Sequence, residues 1–386
     1  MTATADLVIV GAGPAGSACA LRALQVDPGL HVVLVDRADF PRDKVCGDGV
    51  GPDGLDVLDD LDVAHVTDGH PDVGSVALTA PNGRTATGAI PRPGRVVPRT
   101  VLDARLHAAA VARGAEPRRM RVTQLDQDGD GVVLNGDLRG RWVVGADGAN
   151  SVVRRLIGAR SRDPRHTGLA IRGYADAGVT DLTFRFEATR WPSYGWAFPV
   201  DGDGLCNVGW GPFDQRLVTS RDDLVAGLAR TFPDVEVDPD TLGTHPLPLS
   251  TRRPRLTTGR VLLAGDAAHL VHPLTGEGIF YALCSGVLAG AAVAEHPTDA
   301  ARTYRTGMQA RFGRHLRHTA VAARLFRSPR PVDLTVAAAA DNPAVLDDLA
   351  EFALASGLIT PRLAAGLARR AARRALSRPV GRGGPG

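Results

Sequence analysis

The stretch ADLVIVGAGPAGSACALRAL, Ala5 to Leu24, constrains the fold of this chain more than any other. An apolar β-branched run enters Gly11-x-Gly13-x-x-Gly16 and then a helical pattern, and HVVLVD follows as a second strand ending in Asp36. Strand, tight turn, helix and an acid 20 residues beyond the last glycine form the context in which this fingerprint binds a dinucleotide. Gly11 makes the turn, Gly13 lets the backbone approach a pyrophosphate, and Gly16 permits close helix–strand packing. The helix N-terminus faces the negative charge, and Asp36 is placed to accept from the adenosine ribose hydroxyls. The fingerprint alone does not separate NAD from FAD.

The chain has 386 residues, 44% of them apolar and 23% charged, enough for a large core in two or three domains. Its four cysteines, Cys19, Cys46, Cys206 and Cys284, contain no C-x-x-C pair and read as neither a disulfide framework nor a zinc site. No signal peptide precedes the first strand, so a cytoplasmic location is expected. His269 and His272 lack a third ligand at metal spacing, and no metal is expected. Residues 361–386 carry seven arginines and no acid, so the net charge of +3 becomes −4 without them. RLAAGLARRAARRALSR has helical spacing with Leu363, Leu367 and Ala371 on one side: it is either a terminal helix docked on the body or a peripheral contact with anionic lipid. No aromatic interleaves these arginines, which argues against nucleic-acid binding.

Two later segments specify the cofactor. RWVVGADGANSVVRRLIG is a strand entering an Asp147-Gly148 turn and then a helix, and GRVLLAGDAAHLVHPLTGEGI is a strand ending in Gly265-Asp266, with Pro273 and a Gly276-Glu277-Gly278 helix start after it. These resemble the second and third FAD motifs of the flavoprotein monooxygenase superfamily, with its p-hydroxybenzoate hydroxylase-like fold. The resemblance implies that Asp266 binds the ribityl chain and that the helix beginning near Ile279 points its N-terminus at the flavin N1–C2=O edge. A positive helix end there suits the charge that appears on reduction. It also places Pro14, Ala15, Arg37, Arg99 and Val122 around FAD, with a solvated surface role as the competing reading of Arg99. Asp147 belongs near the pyrophosphate or shapes its turn. The 17 residues from Gly278 to Ala294 carry no charge but are too few to span a membrane, so they read as a buried helix.

The expected fold class is therefore α/β: a Rossmann-like FAD-binding domain with a β-sheet substrate domain and a C-terminal helical segment. The cofactor domain takes residues 1–70, 95–160 and 256–325. A β-rich insert takes 71–94 and 161–255, where HTGLAIRGYADA, LTFRFE, YGWAFPV and LCNVGWG read as strands. Residues 326–386 are helical.

One further loop narrows the family. PRDKVCGDG holds Lys44, the only lysine among 45 basic residues. Together with YGWAFP it resembles the geranylgeranyl reductase family, FAD enzymes that saturate isoprenoid double bonds. Carried over by position, the resemblance sets Lys44, Cys46, Gly47, Asp48 and Gly49 beside the flavin and Tyr194, Trp196, Phe198 and Pro199 toward an apolar substrate. A lysine offers a compact point charge where arginine's planar fork is too wide; its ammonium would meet the pyrophosphate, the ribityl oxygens or Asp48. Asp48, Cys46, Tyr194 or a water would supply the proton for alkene reduction. The same fold equally supports a hydroxylase using a flavin hydroperoxide, or a non-redox cyclase or FAD-binding chain. YGWAFP approximates the halogenase motif W-x-W-x-I-P without matching it. With one dinucleotide fingerprint in the chain, NADPH, NADH or a reductase partner must deliver electrons transiently.

Overall fold

The computed structural model describes residues 3–159, 163–252 and 255–376. Its first sheet has five parallel strands in the order Val261–Leu263, Leu138–Gly145, Ala3–Val10, Val32–Asp36 and Glu116–Arg119. Leu7, Val8, Ile9, Val143, Val144 and Leu262 have no exposed surface, and the strands of such a covered parallel sheet read as continuous apolar runs. The helix Pro14–Val26 lies against the helix Ile279–Glu295. A Cβ on Gly286 would fall 2.1 Å from the Ala15 carbonyl oxygen, and one on Gly290 would fall 2.3 Å from that of Cys19. The uncharged Gly- and Ala-rich stretch is thus a packing surface. Among the described residues no helix is long and apolar enough to cross a membrane.

The second sheet has eight strands in the order Gly243–Pro248, Thr167–Asp176, Leu205–Pro212, Ser193–Pro199, Leu182–Glu187, Asp72–Thr79, Thr85–Val96 and Gly49–Val50. All neighbours run antiparallel except Leu182–Glu187 and Asp72–Thr79. The pleat sends alternate side chains to opposite faces. Trp210, Val208 and Cys206 pack against the helix Arg221–Thr231, and Phe184, Tyr194 and Trp196 face the C-terminal helices Pro329–Asp341, Pro343–Leu354 and Pro361–Leu376.

The last of these helices is docked. Leu363 is buried, Arg370 pairs with Asp341 at 2.8 Å and Arg362 with Asp348 at 3.2 Å. Of its apolar edge, Leu363 and Leu367 are turned toward the protein and Ala371 is exposed. Arg378 and Arg382 are outside the described residues.

Candidate functional site

The glycine turn at the end of Ala3–Val10 opens a cavity of about 640 Å³ between the two sheets. Gly11 has φ +101°, and a Cβ there would fall 2.4 Å from the Ala146 carbonyl oxygen; one on Gly16 would fall 1.7 Å from the Gly11 carbonyl oxygen. Both glycines are demanded by close backbone approach. Gly13 differs. The atoms nearest a Cβ there are Arg42 Nη2 at 3.5 Å, Asp103 Oδ2 at 3.7 Å and Arg99 Nη2 at 3.8 Å. The open backbone at Gly13 therefore faces two guanidinium groups, a cradle for an anion at the start of a helix.

Arg99 is 3% exposed and grips Asp103 with two hydrogen bonds of 2.6 and 2.7 Å. The solvated reading of Arg99 is overturned: the i,i+4 pair is inside the protein. Arg42 bridges Asp103 at 3.2 Å and Asp36 at 3.3 Å. Asp36 also accepts from the Ala12 N–H at 2.9 Å, which ties the second strand's end to the turn. Sequence reasoning missed Arg42 and Asp103 and named Arg37, which lies exposed at the rim. Val122, Pro14 and Ala15 line the cavity as well. Asp147 accepts from the Ser151 hydroxyl at 2.5 Å and from the N–H groups of Val152 and Val153, so its carboxylate caps a helix and shapes the Gly148 turn.

Elsewhere in the same lining, Lys44 donates to Asp266 Oδ2 at 2.9 Å across 222 positions of sequence. Burial alone would raise the Asp266 carboxyl; the charge and hydrogen bond of Lys44 overcome it and hold the group below the ordinary carboxylate range. Of the partners expected for Lys44, Asp48 is not the one it meets. Asp48, in a left-handed conformation at φ +60° with no exposed surface, is held from the second sheet. Tyr174 donates to its Oδ2 at 2.5 Å and Asn207 at 2.7 Å, while Oδ1 has no partner among the described residues. Burial dominates and pushes this carboxyl up to about 6. Asn207 donates also to the Cys46 carbonyl at 2.8 Å and accepts from Trp196 Nε1 at 2.9 Å. Arg172, 1% exposed, donates to the carbonyls of Cys46 and Lys44 at 3.1 and 3.2 Å.

Three side chains from two neighbouring strands thus fasten the loop over the cavity, and sequence reasoning named none of them. The available signal was a polar residue at an inward position of an alternating strand, in LAIRGYADA and LCNVGWG. Cys46 is half-buried, and burial pushes its thiol up against the opposing pull of Arg99 and Lys44.

Tyr194, Trp196 and Phe198 line the same end of the cavity as Cys46, Gly47 and Asp48. A Cβ on Gly47 would stand 3.3 Å from both Phe198 and Trp196, so the loop lies flat against the aromatic sheet face. Tyr194 donates its hydroxyl to the Thr275 carbonyl oxygen. Beyond this wall is a second cavity of about 970 Å³, lined by Phe186, Trp191, Phe213, Val336, Leu346, Ala350, Phe352 and Leu363. Phe184, Thr275 and Leu354 line both cavities. Pro273 lines the second cavity and Pro199 neither, while Gly265, at φ +57°, packs against Ala15 and Ala282. Gly276, Gly278 and Ile279 close the first cavity at a helix start. Among the described residues no group of histidines, cysteines and acids could hold a metal.

The first cavity fits a dinucleotide. It offers an anion cradle at Gly13, the carboxylate of Asp36, and an ion pair at Asp266 beside a flat aromatic wall. The family model described as "FAD binding domain" matches residues 4–305. A menaquinone reductase of Mycolicibacterium smegmatis is 33% identical over 87% of this chain and 88% of its own. A digeranylgeranylglycerophospholipid reductase 2 of Methanopyrus kandleri is 30% identical over 83% and 86% respectively. In three dimensions the chain is similar to a geranylgeranyl bacteriochlorophyll reductase-like protein of Thermoplasma acidophilum, with TM-score 0.78, 22% identity, and coverage of 90% of this chain and 96% of the other. The chain belongs to the geranylgeranyl reductase-like family of FAD-dependent oxidoreductases.

Proposed function

We propose that this enzyme reduces carbon–carbon double bonds of an isoprenoid whose apolar chain fills the second cavity and meets the cofactor at the wall shared by Phe184, Thr275 and Leu354. The observation that carries the reading is that shared wall: a chamber of about 970 Å³, apolar along the C-terminal helices, with Arg165, Asp214, Arg216, Arg324 and Arg327 also in its lining, that shares residues with the cofactor cavity. Chambers of this size with a mainly apolar lining bury the chain of an apolar ligand well, and polar residues in the lining can meet its polar end. The isoprenoid class is supported by the relatives named as menaquinone and digeranylgeranylglycerophospholipid reductases.

In this reading the Gly13 backbone with Arg42 and Arg99 holds the pyrophosphate, Asp36 the adenosine ribose, and Asp266 with Lys44 the ribityl chain. Bound FAD supplies the two electrons of the reduction. The Cys46 thiol, kept protonated by burial and lining the cavity, delivers the proton to the second alkene carbon. Asp48 positions that loop: Tyr174 and Asn207 hold its carboxyl beneath Cys46. Tyr194 spends its hydroxyl proton on Thr275 and serves as wall. NADPH, NADH or a reduced partner protein reaches the cofactor transiently, and the exposed side of the last helix contacts the anionic membrane from which such a substrate is drawn.

The test is anaerobic reduction of the flavoprotein followed by mixing with a polyprenyl alkene or with oxygen. Reoxidation by the alkene, with gain of two hydrogens per bond by mass spectrometry, is expected. A transient absorbing as a flavin hydroperoxide, with no alkene turnover, would establish a hydroxylase instead. Cys46→Ala should leave FAD content unchanged and slow the alkene step by about a hundredfold or more, the range of a lost general acid.

A further inference from the structure

The start of the helix Ile279–Glu295 is not a bare positive end. Glu277, two residues before it, turns its carboxyl back: Oε1 accepts from the Phe280 N–H at 2.7 Å, and Oε2 is buried without a partner among the described residues. The residue lines the cofactor cavity. Its neighbours Gly276 and Gly278 stand by the Tyr194 hydroxyl and Asp266 Oδ1, where a Cβ would fall 3.6 and 3.5 Å away, so a dinucleotide with its pyrophosphate at Gly13 and its ring at the aromatic wall brings that ring toward Glu277.

The surroundings of this carboxyl are acidic. Asp266 from the third-motif turn and Asp53 from the helix Pro52–Asp60 both add like charge. The cations nearby are committed: Lys44 to Asp266, and Arg92 and Arg311 to Asp53. In the same loop His272 accepts the Leu274 and Thr275 N–H groups on Nδ1, so it stays neutral, and burial holds it near 3. Tyr281, on the helix itself, gives its hydroxyl proton to His315 Nε2, whose Nδ1 in turn donates to the Gly357 carbonyl oxygen. Among the described residues no ion pair to Glu277 is formed, and burial outweighs the Phe280 and Ile279 N–H groups and pushes its carboxyl up to about 8.

We propose that Glu277 takes up a proton when the bound flavin is reduced, and thereby sets how the flavin's potential varies with pH. Two electrons and one proton leave the ring with a negative charge. A carboxylate beside it, already crowded by Asp266 and Asp53, is then driven to bind a second proton. Electrons and protons balance as two and two while Glu277 participates, and as two and one when it does not. Above about pH 8 the ionised carboxylate opposes reduction and lowers the potential, which makes the reduced cofactor a stronger donor toward an unactivated alkene.

The inference rests on the assignment of FAD to the first cavity, and the test separates the two. Potentials of wild type and Glu277→Gln are measured by spectroelectrochemical titration from about pH 7 to about pH 10. Each proton taken up with two electrons tilts the potential by about 30 mV per pH unit. Wild type should therefore steepen above about pH 8 toward about 60 mV per unit, while Glu277→Gln stays near 30 and lies higher at alkaline pH. Parallel lines of about 30 mV per unit would overturn the proposal. If the variant fails to fold, the wild-type slope still decides, because a single slope of about 30 throughout excludes a second proton. A wild type that takes up no FAD would overturn the cavity assignment and this inference with it.

Discussion

The two cavities share a wall and little else. The first is built from charges and glycines. The Gly13 cradle, the Arg42–Asp103–Arg99 cluster and the Lys44–Asp266 pair are each specific in residue type, as the fixed polar groups of phosphate, ribose and flavin would require in the proposed reading. The second is built mainly from Leu, Val, Ala and Phe on the C-terminal helices and the aromatic face of the second sheet, with Arg165, Asp214, Arg216, Arg324 and Arg327 also in its lining. There almost any apolar residue of suitable volume serves, since burial is non-directional. A polar site therefore fails when one atom changes, and an apolar chamber fails only when its volume changes.

The largest expected effect tests the polar side. Asp266→Ala removes a buried acceptor and strands Lys44, so FAD should be lost on desalting, with the dissociation constant raised at least about a hundredfold, as for a broken buried pair. Retention of stoichiometric flavin would show that the ion pair is not a cofactor contact. Next comes the apolar side. Ala353 lines the second cavity without being fully buried, and Ala353→Trp should fill part of it. FAD content and potential should stay at wild-type values while KM for a polyprenyl substrate rises about tenfold, close to 1.4 kcal/mol. Unchanged KM would move the substrate out of this chamber.

The smallest effect refines the comparison at one residue. Lys44→Met leaves Asp266 buried and unpaired and should weaken FAD about tenfold or more, whereas Lys44→Arg keeps the charge and should cost only a few-fold by equilibrium dialysis. Arginine as poor as methionine would show that the compact ammonium is required. Arginine equal to wild type would show that charge alone suffices.

Legibility follows the same division. The Gly11, Gly13 and Gly16 turn, the Asp266 turn and the CGDG loop were readable because each is a local backbone requirement written within a few residues. The long uncharged helix was readable as buried, and its glycines proved to sit against the Ala15 and Cys19 carbonyls. Arg42, Asp103, Arg172, Tyr174 and Asn207 were not readable, since their roles depend on partners 61 to 161 positions away or on which face of a strand turns inward. Glu277 stood in plain view within GEG, yet its meaning lies in the acids folded around it.

The sequence by itself determined that the chain carries a dinucleotide fold with three FAD-type segments and a reductase-like loop, because glycine spacing and β-branched runs encode backbone geometry locally. Tertiary structure decided the rest. It gave the lone lysine Asp266 rather than Asp48, turned Leu363 and Leu367 of the arginine-rich helix inward, and shaped a second chamber between segments more than a hundred residues apart. Pairing of charges and closure of apolar surfaces are set by which elements pack together, and that is a property of the whole chain.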